Sequence, residues 1–507
     1  MKISNPISSG FYSKRPPATL GGALLIYSLL ANTCSAGGST IYRSTCDRDF
    51  REVIGAVATP HTGPGASVID LDTAHESHPW LGFGVSFPES SCHLIMRLSE
   101  DRRRALVESV FGKSGLGLSV GRVHMGSSDY SRHLYSYDDI PGDLSLERFS
   151  IVPDLAEVIP VIKMAKEANP DLFLFASPWS PPGWMKDNGS LCGGSLLESM
   201  EGVYAAYIEK FLSAYAAEGL DISAFTIQNE PLTRQNSDSP TCFMPGDQEA
   251  RIAKLVSRRL AASGISAKPW LCDHNWRADC VARVLSQLQD PELLSAIGGV
   301  AWHPYNSQPE DMAPIRALYP DLPMFMTEMG PHVDKRQRDI VWWADLAIRT
   351  INAGCRTFTS WCLALDEDGQ PNVSRGFPCA GFVEIDSETG VTTPSSQFKA
   401  FRHFSPFVQR GAVVLDAPVV TGSAAIAPFP KDVLRSAAFR NPDGSHVVVF
   451  SYKGDDQFAR KMVQIRRGGL YLPVQVFCGA VTTVVLDAAG ATADEKDKSD
   501  NSQRKQS

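Results

Sequence analysis

The chain has 507 residues, 48 Lys+Arg against 56 Asp+Glu for a formal charge of −8, and 43% hydrophobic against 21% charged residues. This balance is that of a globular protein and excludes a disordered or collagen-like chain, and the length accommodates an α/β barrel of about 250 residues plus a second domain. No extended Lys/Arg-rich run could neutralise phosphates, so nucleic acid and anionic membrane surfaces are not expected partners, and a neutral substrate is.

Along the chain, no charged residue lies between Lys14-Arg15 and Arg43, and Ala18 to Ala31 forms an apolar core followed by the small residues Cys34-Ser35-Ala36-Gly37. That pattern predicts a secretory signal peptide over residues 1–36, with a retained anchor as the alternative. The apolar core is shorter than the roughly 18–20 residues of a spanning helix, so no stable membrane span is expected. The expected location is secreted or a lysosome-like compartment. Cleavage would remove Lys2, Lys14 and Arg15 but no acid, taking the charge from −8 to −11. Ten cysteines would remain, an even number consistent with disulfides in an oxidising compartment. Cys272 and Cys280 flank His274 but lack a second matching pair, so no metal site is expected. The sequons Asn188-Gly-Ser190 and Asn372-Val-Ser374 fit surface loops.

Eight short apolar runs recur through the middle of the chain: Leu81–Ser86, Leu118–His124, Leu172–Ser177, Ala224–Gln228, Lys268–Cys272, Gly299–His303, Pro323–Thr327 and Thr357–Trp361. The segment Ser39–Asp72 precedes the first of them and is expected to pair with it. Amphipathic helical patterns separate the runs at Glu100–Phe111, Asp154–Ala168, Gly202–Glu218, Gln248–Ala262 and Asp339–Ala353. Continuous apolar strands alternating with helices imply a parallel sheet covered on both faces, and eight such units predict a closed (β/α)8 barrel over residues 76–405. An open doubly wound sheet is the alternative. The glycine-rich turn Gly115–Gly121 has the wrong spacing for a dinucleotide loop and leads into a strand, so no cofactor is expected. After Pro406 the pattern becomes short alternating strands, as in Val447–Phe450 after the turn Asn441-Pro442-Asp443-Gly444, which predicts an antiparallel β domain over 406–490. Ala491–Ser507 has no large apolar residue and reads as a disordered tail.

In such a barrel the chemistry sits where strands end. The fourth run leads into Asn229-Glu230-Pro231 and the seventh into Thr327-Glu328-Met329. Two glutamates facing one mouth, when about 5–5.5 Å apart, can act as nucleophile and proton donor in retaining glycoside hydrolysis. Glu230 is expected to have its pKa raised by the neighbouring carboxylate. Asn229 is a candidate for a sugar hydroxyl. Aromatic residues gather at other strand ends: Trp179 and Trp184, Trp302 and Tyr305, and Trp361. Such rings stack on the apolar faces of sugars. Arg122 and Asp129, at and just beyond the end of the second run, either grip hydroxyls or form a structural ion pair. A non-catalytic carbohydrate-binding protein would keep the aromatic platform and lose a carboxylate, whereas both are present here.

Several motifs fall in one order along the chain: Phe83-Gly84 with Glu89, Gly121-Arg122-Val123, Ser128-Asp129-Tyr130-Ser131, Ala176–Lys186 with its Ser-Pro-Trp, Asn229-Glu230-Pro231, Thr327-Glu328, Trp361–Leu365 and Asn441–Ser445. With them the chain resembles glycoside hydrolase family 30, the family of lysosomal glucosylceramidase and of fungal and bacterial β-1,6-glucanases. The resemblance implies that Glu230 is the acid/base and Glu328 the nucleophile. It also implies that Arg122, Asp129, Trp179, Asn229 and Trp361 line the glucosyl subsite. The implied fold is a (β/α)8 barrel with a β-sandwich that takes an N-terminal strand from residues 37–75. Where glucosylceramidases tend to read His-Trp-Tyr, this chain reads His303-Pro304-Tyr305, and Cys362 stands where an asparagine is usual. The expected substrate is a glycolipid such as glucosylceramide or a carbohydrate such as a β-1,6-glucan.

Overall fold

The computed structural model describes residues 38–45, 48–53, 58–61, 67–233, 238–335, 339–374, 378–421 and 432–488. The predicted signal peptide, Cys46 and the predicted tail lie outside the described residues. Four strands come first: β1 (Ser39–Thr45), β2 (Arg48–Val53), β3 (Ser67–Asp70) and β4 (His75–Pro79). Eight more follow: β5 (Gly82–Ser86), β6 (Val120–His124), β7 (Phe173–Ser177), β8 (Ala224–Thr226), β9 (Lys268–Asn275), β10 (Gly299–His303), β11 (Met324–Met326) and β12 (Cys355–Cys362). These eight are parallel and consecutive neighbours, and β12 pairs back onto β5 to close a barrel. Every residue of β5, β6, β10 and β11 is buried. A strand in a closed barrel has side chains on one face and helices on the other, which is why the runs are continuous rather than alternating.

The helices between them are α1 (Glu89–Arg97), α2 (Glu100–Phe111), α3 (Val152–Leu155), α4 (Val158–Ala168), α5 (Glu201–Ala217), α6 (Gly246–Ala262), α7 (Ala278–Gln287), α8 (Pro291–Ala296), α9 (Ala313–Leu318) and α10 (Ile340–Asn352). Asp339 caps α10, its side chain accepting from Val341 N at 2.9 Å. A short sheet of β13 (Ala364–Leu365), β14 (Val383–Ile385) and β15 (Thr392–Pro394) follows the barrel and leads to α11 (Ser396–Phe401).

The remaining strands are β16 (Val413–Asp416), β17 (Val420–Thr421), β18 (Val433–Arg440), β19 (His446–Lys453), β20 (Arg460–Arg467), β21 (Leu470–Phe477) and β22 (Ala480–Leu486). One sheet runs β2-β1-β22-β19-β18-β16-β4, with β17 on β18, and a second runs β21-β20-β3. The N-terminal strands therefore pair with β22, β16 and β20, and none of them pairs with the first barrel strand as Ser39–Asp72 was expected to. Alternation along β19 explains its run of valines: Val448, Phe450 and Tyr452 face the core shared with Val463, Ile465 and Val474 of the second sheet, whereas Val447 and Val449 join the core of the barrel. Both faces of this sheet are thus covered. Helix α10 is covered on both sides as well, and nine of its thirteen residues are buried. All nine described cysteines are free thiols, so the expected disulfides are not found among the described residues.

Candidate active site

The barrel interior is built in layers, because residues two apart on a strand face the same way. Val120, Phe175, Ala224, Trp270, Ala301 and Phe325, one from each of six strands, form an apolar floor, with Trp270 stacked on Phe325 at 3.8 Å between ring centroids. Two residues further along the chain stand Arg122, Ser177, Thr226 and His303 on their strands, and Thr327 just past the end of β11. On β9 that step reaches Cys272, which instead packs into the outer core. The register of β9 against β10 shifts between Ala301 and Trp302, Cys272 and Asp273 both take left-handed backbone (φ 76° and 49°), and this bulge turns Asp273 into the polar layer.

Asp273 is the hub. Its Oδ1 accepts from Thr327 Oγ1 at 2.7 Å and faces His303 Nε2 at 3.0 Å. Its Oδ2 accepts from Arg122 Nη2 at 2.9 Å, Ser177 Oγ at 2.8 Å and Thr226 Oγ1 at 2.7 Å. Burial alone would raise its pKa, but the Arg122 charge and the His303 contact hold the carboxyl well below the usual range. Arg122, fully buried, also donates to Glu328 Oε2 at 2.5 Å, Asn229 Oδ1 at 2.8 Å and Ser177 Oγ at 3.1 Å. Of the two readings of Arg122 and Asp129, the ion pair between them is not formed, since the charged partners of Arg122 are Asp273 and Glu328. A guanidinium only donates, so its bond to Asn229 turns the carboxamide oxygen inward and leaves the NH2 as the outward donor.

The two predicted glutamates converge. Glu328, 6% exposed, accepts from Arg122 on one oxygen and from the Tyr305 hydroxyl on the other at 2.7 Å. The chain beyond it passes close to Trp361, where a Cβ on Gly330 would lie 2.9 Å from the Trp361 Cβ. Glu230 sits in left-handed backbone at φ 46°, held by a bond from its N to Asp273 O at 3.0 Å. Such strain in a non-glycine residue is typical of functional positions. His303 Nδ1 lies 3.2 Å from Glu230 Oε1 and 3.9 Å from Glu328 Oε1, which places the two carboxylates within about 7 Å of each other.

The electrostatics reverse one expectation. Burial would raise the pKa of Glu230, yet His274 and His303 outweigh it and hold this carboxyl low, so the neighbouring carboxylate does not set its direction. His303 is itself pushed up to about 10: burial works against its charge, and Glu328, Asp273 and Glu230 more than compensate. Asp129 is raised to about 8 by burial and by the charges of Glu328 and Glu230, and its Oδ1 is buried without a hydrogen-bond partner.

Trp179 and Trp361 stack on each other at 5.0 Å and are 4% and 2% exposed. The Arg122 guanidinium lies 4.7 Å from the Trp179 ring centroid and 5.5 Å from that of Trp361, a cation–π arrangement that fixes both rings. Tyr305 keeps its hydroxyl on Glu328 while a third of the residue stays exposed. Trp302 lies outside the site, in the outer core, because His303 beside it takes the inward direction. Trp184 donates to Asp138 O at 2.9 Å. Asp273 and His303 were not among the site residues expected from sequence, and His274 was weighed only as a metal ligand. The signal for His303 was available: a polar residue two places beyond an apolar floor residue.

The glycosyl hydrolase family 30 TIM-barrel domain profile matches residues 81–408. An endo-1,6-β-D-glucanase of Neurospora crassa is 30% identical over 476 residues, covering 89% of this chain and 95% of that one. The lysosomal acid glucosylceramidase of Mus musculus is 29% identical over 427 residues, 78% of this chain and 79% of that one. Among solved structures, the endo-β1,6-glucanase BT3312 superposes with a TM-score of 0.79 at 26% identity, covering 89% of this chain and 99% of its own.

Proposed function

Because the chain belongs to glycosyl hydrolase family 30 and is a glycosidase of that family, we propose that it cleaves β-D-glucosidic bonds with retention, with Glu328 as nucleophile and Glu230 as acid/base. The observation that carries this reading is the imidazole of His303, 3.2 Å from Glu230 and 3.9 Å from Glu328. The resulting limit of about 7 Å admits the roughly 5–5.5 Å of retaining enzymes and excludes most of the 6.5–9.5 Å range of inverting ones. Arg122 and Tyr305, one on each oxygen, hold the Glu328 carboxylate in place for attack at the anomeric carbon. Glu230 protonates the departing oxygen and then removes a proton from the water that releases the sugar. Asn229 Nδ2 and the buried Oδ1 of Asp129 are the polar groups offered to sugar hydroxyls.

A β-1,6-linked glucan is the substrate favoured by the relatives, since the match spans 95% of the Neurospora glucanase and 79% of the mouse glucosylceramidase. Glucosylceramide is the second reading, supported by a nearly equal identity of 29%. A secreted or lysosome-like location fits the pattern of residues 1–36, and N-terminal sequencing of protein recovered from a culture medium checks it. Incubation with a β-1,6-glucan and with detergent-dispersed glucosylceramide separates the substrates, oligosaccharide release marking the first and ceramide release the second. Proton NMR of the first-formed sugar should show the β anomer, and early α anomer would exclude retention. Glu328→Gly with azide should yield an α-glycosyl azide and Glu230→Ala a β one, and the reverse pattern would exchange the two roles.

A further inference from the structure

Two imidazoles face Glu230, and they are not equivalent. His303 is committed on both sides: Nε2 to Asp273 at 3.0 Å and Nδ1 to Glu230 at 3.2 Å, so it keeps both protons. His274 presents Nδ1 at 3.6 Å from the same Glu230 oxygen, is 5% exposed, and has no hydrogen-bond partner at that nitrogen. It stands there because the β9 bulge turns Asp273 inward and brings the next residue up to Glu230, which follows the neighbouring strand β8. The other charged groups around this pair are Arg277, whose charge interacts with Glu230 and which pairs with Asp279, then Asp273 with Arg122, and Glu249 beneath Cys272 N.

We propose that His274 is a positioning residue that stores the proton of Glu230: its Nδ1 hands a proton to Glu230 as the leaving oxygen is protonated, and receives one when Glu230 deprotonates the attacking water. The cycle closes without net gain. The proton that leaves the His274–Glu230 pair with the aglycone in the first step is returned to it by the attacking water in the second. His303 does not serve, because Asp273 on Nε2 and Glu230 on Nδ1 engage both of its ring nitrogens. The proposal rests on the assignment of Glu230 as acid/base.

The test is leaving-group dependence. General acid help contributes about 10²–10⁴-fold where the leaving oxygen needs a proton, and little where it does not. His274→Gln and, as a second variant with a shorter amide, His274→Asn are compared with the unaltered chain. The substrates are phenyl and 2,4-dinitrophenyl β-glucosides or, if those are not accepted, the corresponding β-gentiobiosides. The expected result is a loss in kcat/KM on the phenyl substrate at least tenfold greater than on the dinitrophenyl one. Both rates come from one preparation, so partial unfolding cancels in their ratio. Equal losses on both substrates, or none on either, overturn the proposal while leaving the function intact. An unaltered chain that cleaves no β-glucoside, β-gentiobioside or β-1,6-glucan overturns the functional reading and the proposal with it.

Discussion

Arg122→Lys tests whether the site depends on the shape of this cation or only on its charge. The guanidinium reaches four acceptors at 2.5–3.1 Å: Glu328 through Nη1, Asn229 and Asp273 through Nη2, and Ser177 through Nε. A lysine nitrogen placed near Nη2 keeps Asn229 and Asp273 in reach but abandons Glu328 and Ser177, since one nitrogen cannot span the fork. The lost charge-assisted bond to Glu328 is worth about 1.5–3 kcal/mol, which predicts a fall in kcat/KM of about 10- to 150-fold with a similar loss of folding stability. Arg122→Met removes the charge as well, leaves buried carboxylates uncompensated, and should cost about 3–5 kcal/mol of stability. Asp273 adds a dependence on pH. Its folded pKa is depressed chiefly by Arg122 against the effect of burial, so the stability it contributes is present above its unfolded value near 3.9 and lost as pH falls below about 5. Arg122→Met should lack that portion, and its deficit against the unaltered chain should shrink between pH 5 and 3. Urea unfolding at several pH values and kcat/KM on an aryl β-glycoside measure both effects. Activity of Arg122→Lys within threefold of the unaltered chain would refute the dependence on shape.

Asp154, buried under the hydroxyls of Tyr135, Tyr137 and Tyr215, has its pKa raised to about 6 by burial. Its folded form therefore favours the proton, and rising pH between about 4 and 6 should cost about 3 kcal/mol that Asp154→Asn does not lose, measurable from urea midpoints across that range. His303 is raised to about 10 instead, so its stabilising charge is complete below about 6.5 and lost as pH climbs through 10. His303→Gln should flatten thermal stability between pH 7 and 10. Lys186, 3% exposed, donates to Ser180 Oγ and to the carbonyls of Leu191 and Thr241, tying the loop after β7 to the loop after β8. Lys186→Met orphans these acceptors, should cost about 2–4 kcal/mol, and should speed proteolytic nicking between residues 187 and 195. Unchanged nicking would mean that the loops hold without it.

The barrel was legible because closure imposes burial on both faces of every strand, and apolar runs such as Gly299–His303 have no other economical explanation. Glu230 and Glu328 were legible because Glu328 follows such a run directly and Glu230 stands one residue after the end of another. The bulge on β9 was not. The apolar run stops at Cys272 while the strand continues to Asn275, and no side-chain pattern announces two successive non-glycine residues in left-handed backbone. Asp273 and His274 were missed for that reason, and with them the sign of the Glu230 shift, which depends on imidazoles contributed by β9 and β10. Trp302 was misplaced by one step of strand alternation. The two- and three-residue strands β13 to β15 are set by tertiary pairing and leave no trace in periodicity.

The position of β1 bears on how the protein is made. It lies between β2 and β22, and Arg43 reaches Thr482, 439 positions away. A chain emerging from the ribosome thus carries its first strand without its inner neighbour until synthesis is nearly complete. Meanwhile the barrel must form with Val447, Val449 and Val481, which complete its core, still missing. A product stopped before β22 would lose part of the cover on α10 and leave β1 and β19 with unpaired edges, so early termination should yield aggregate in place of a smaller working enzyme.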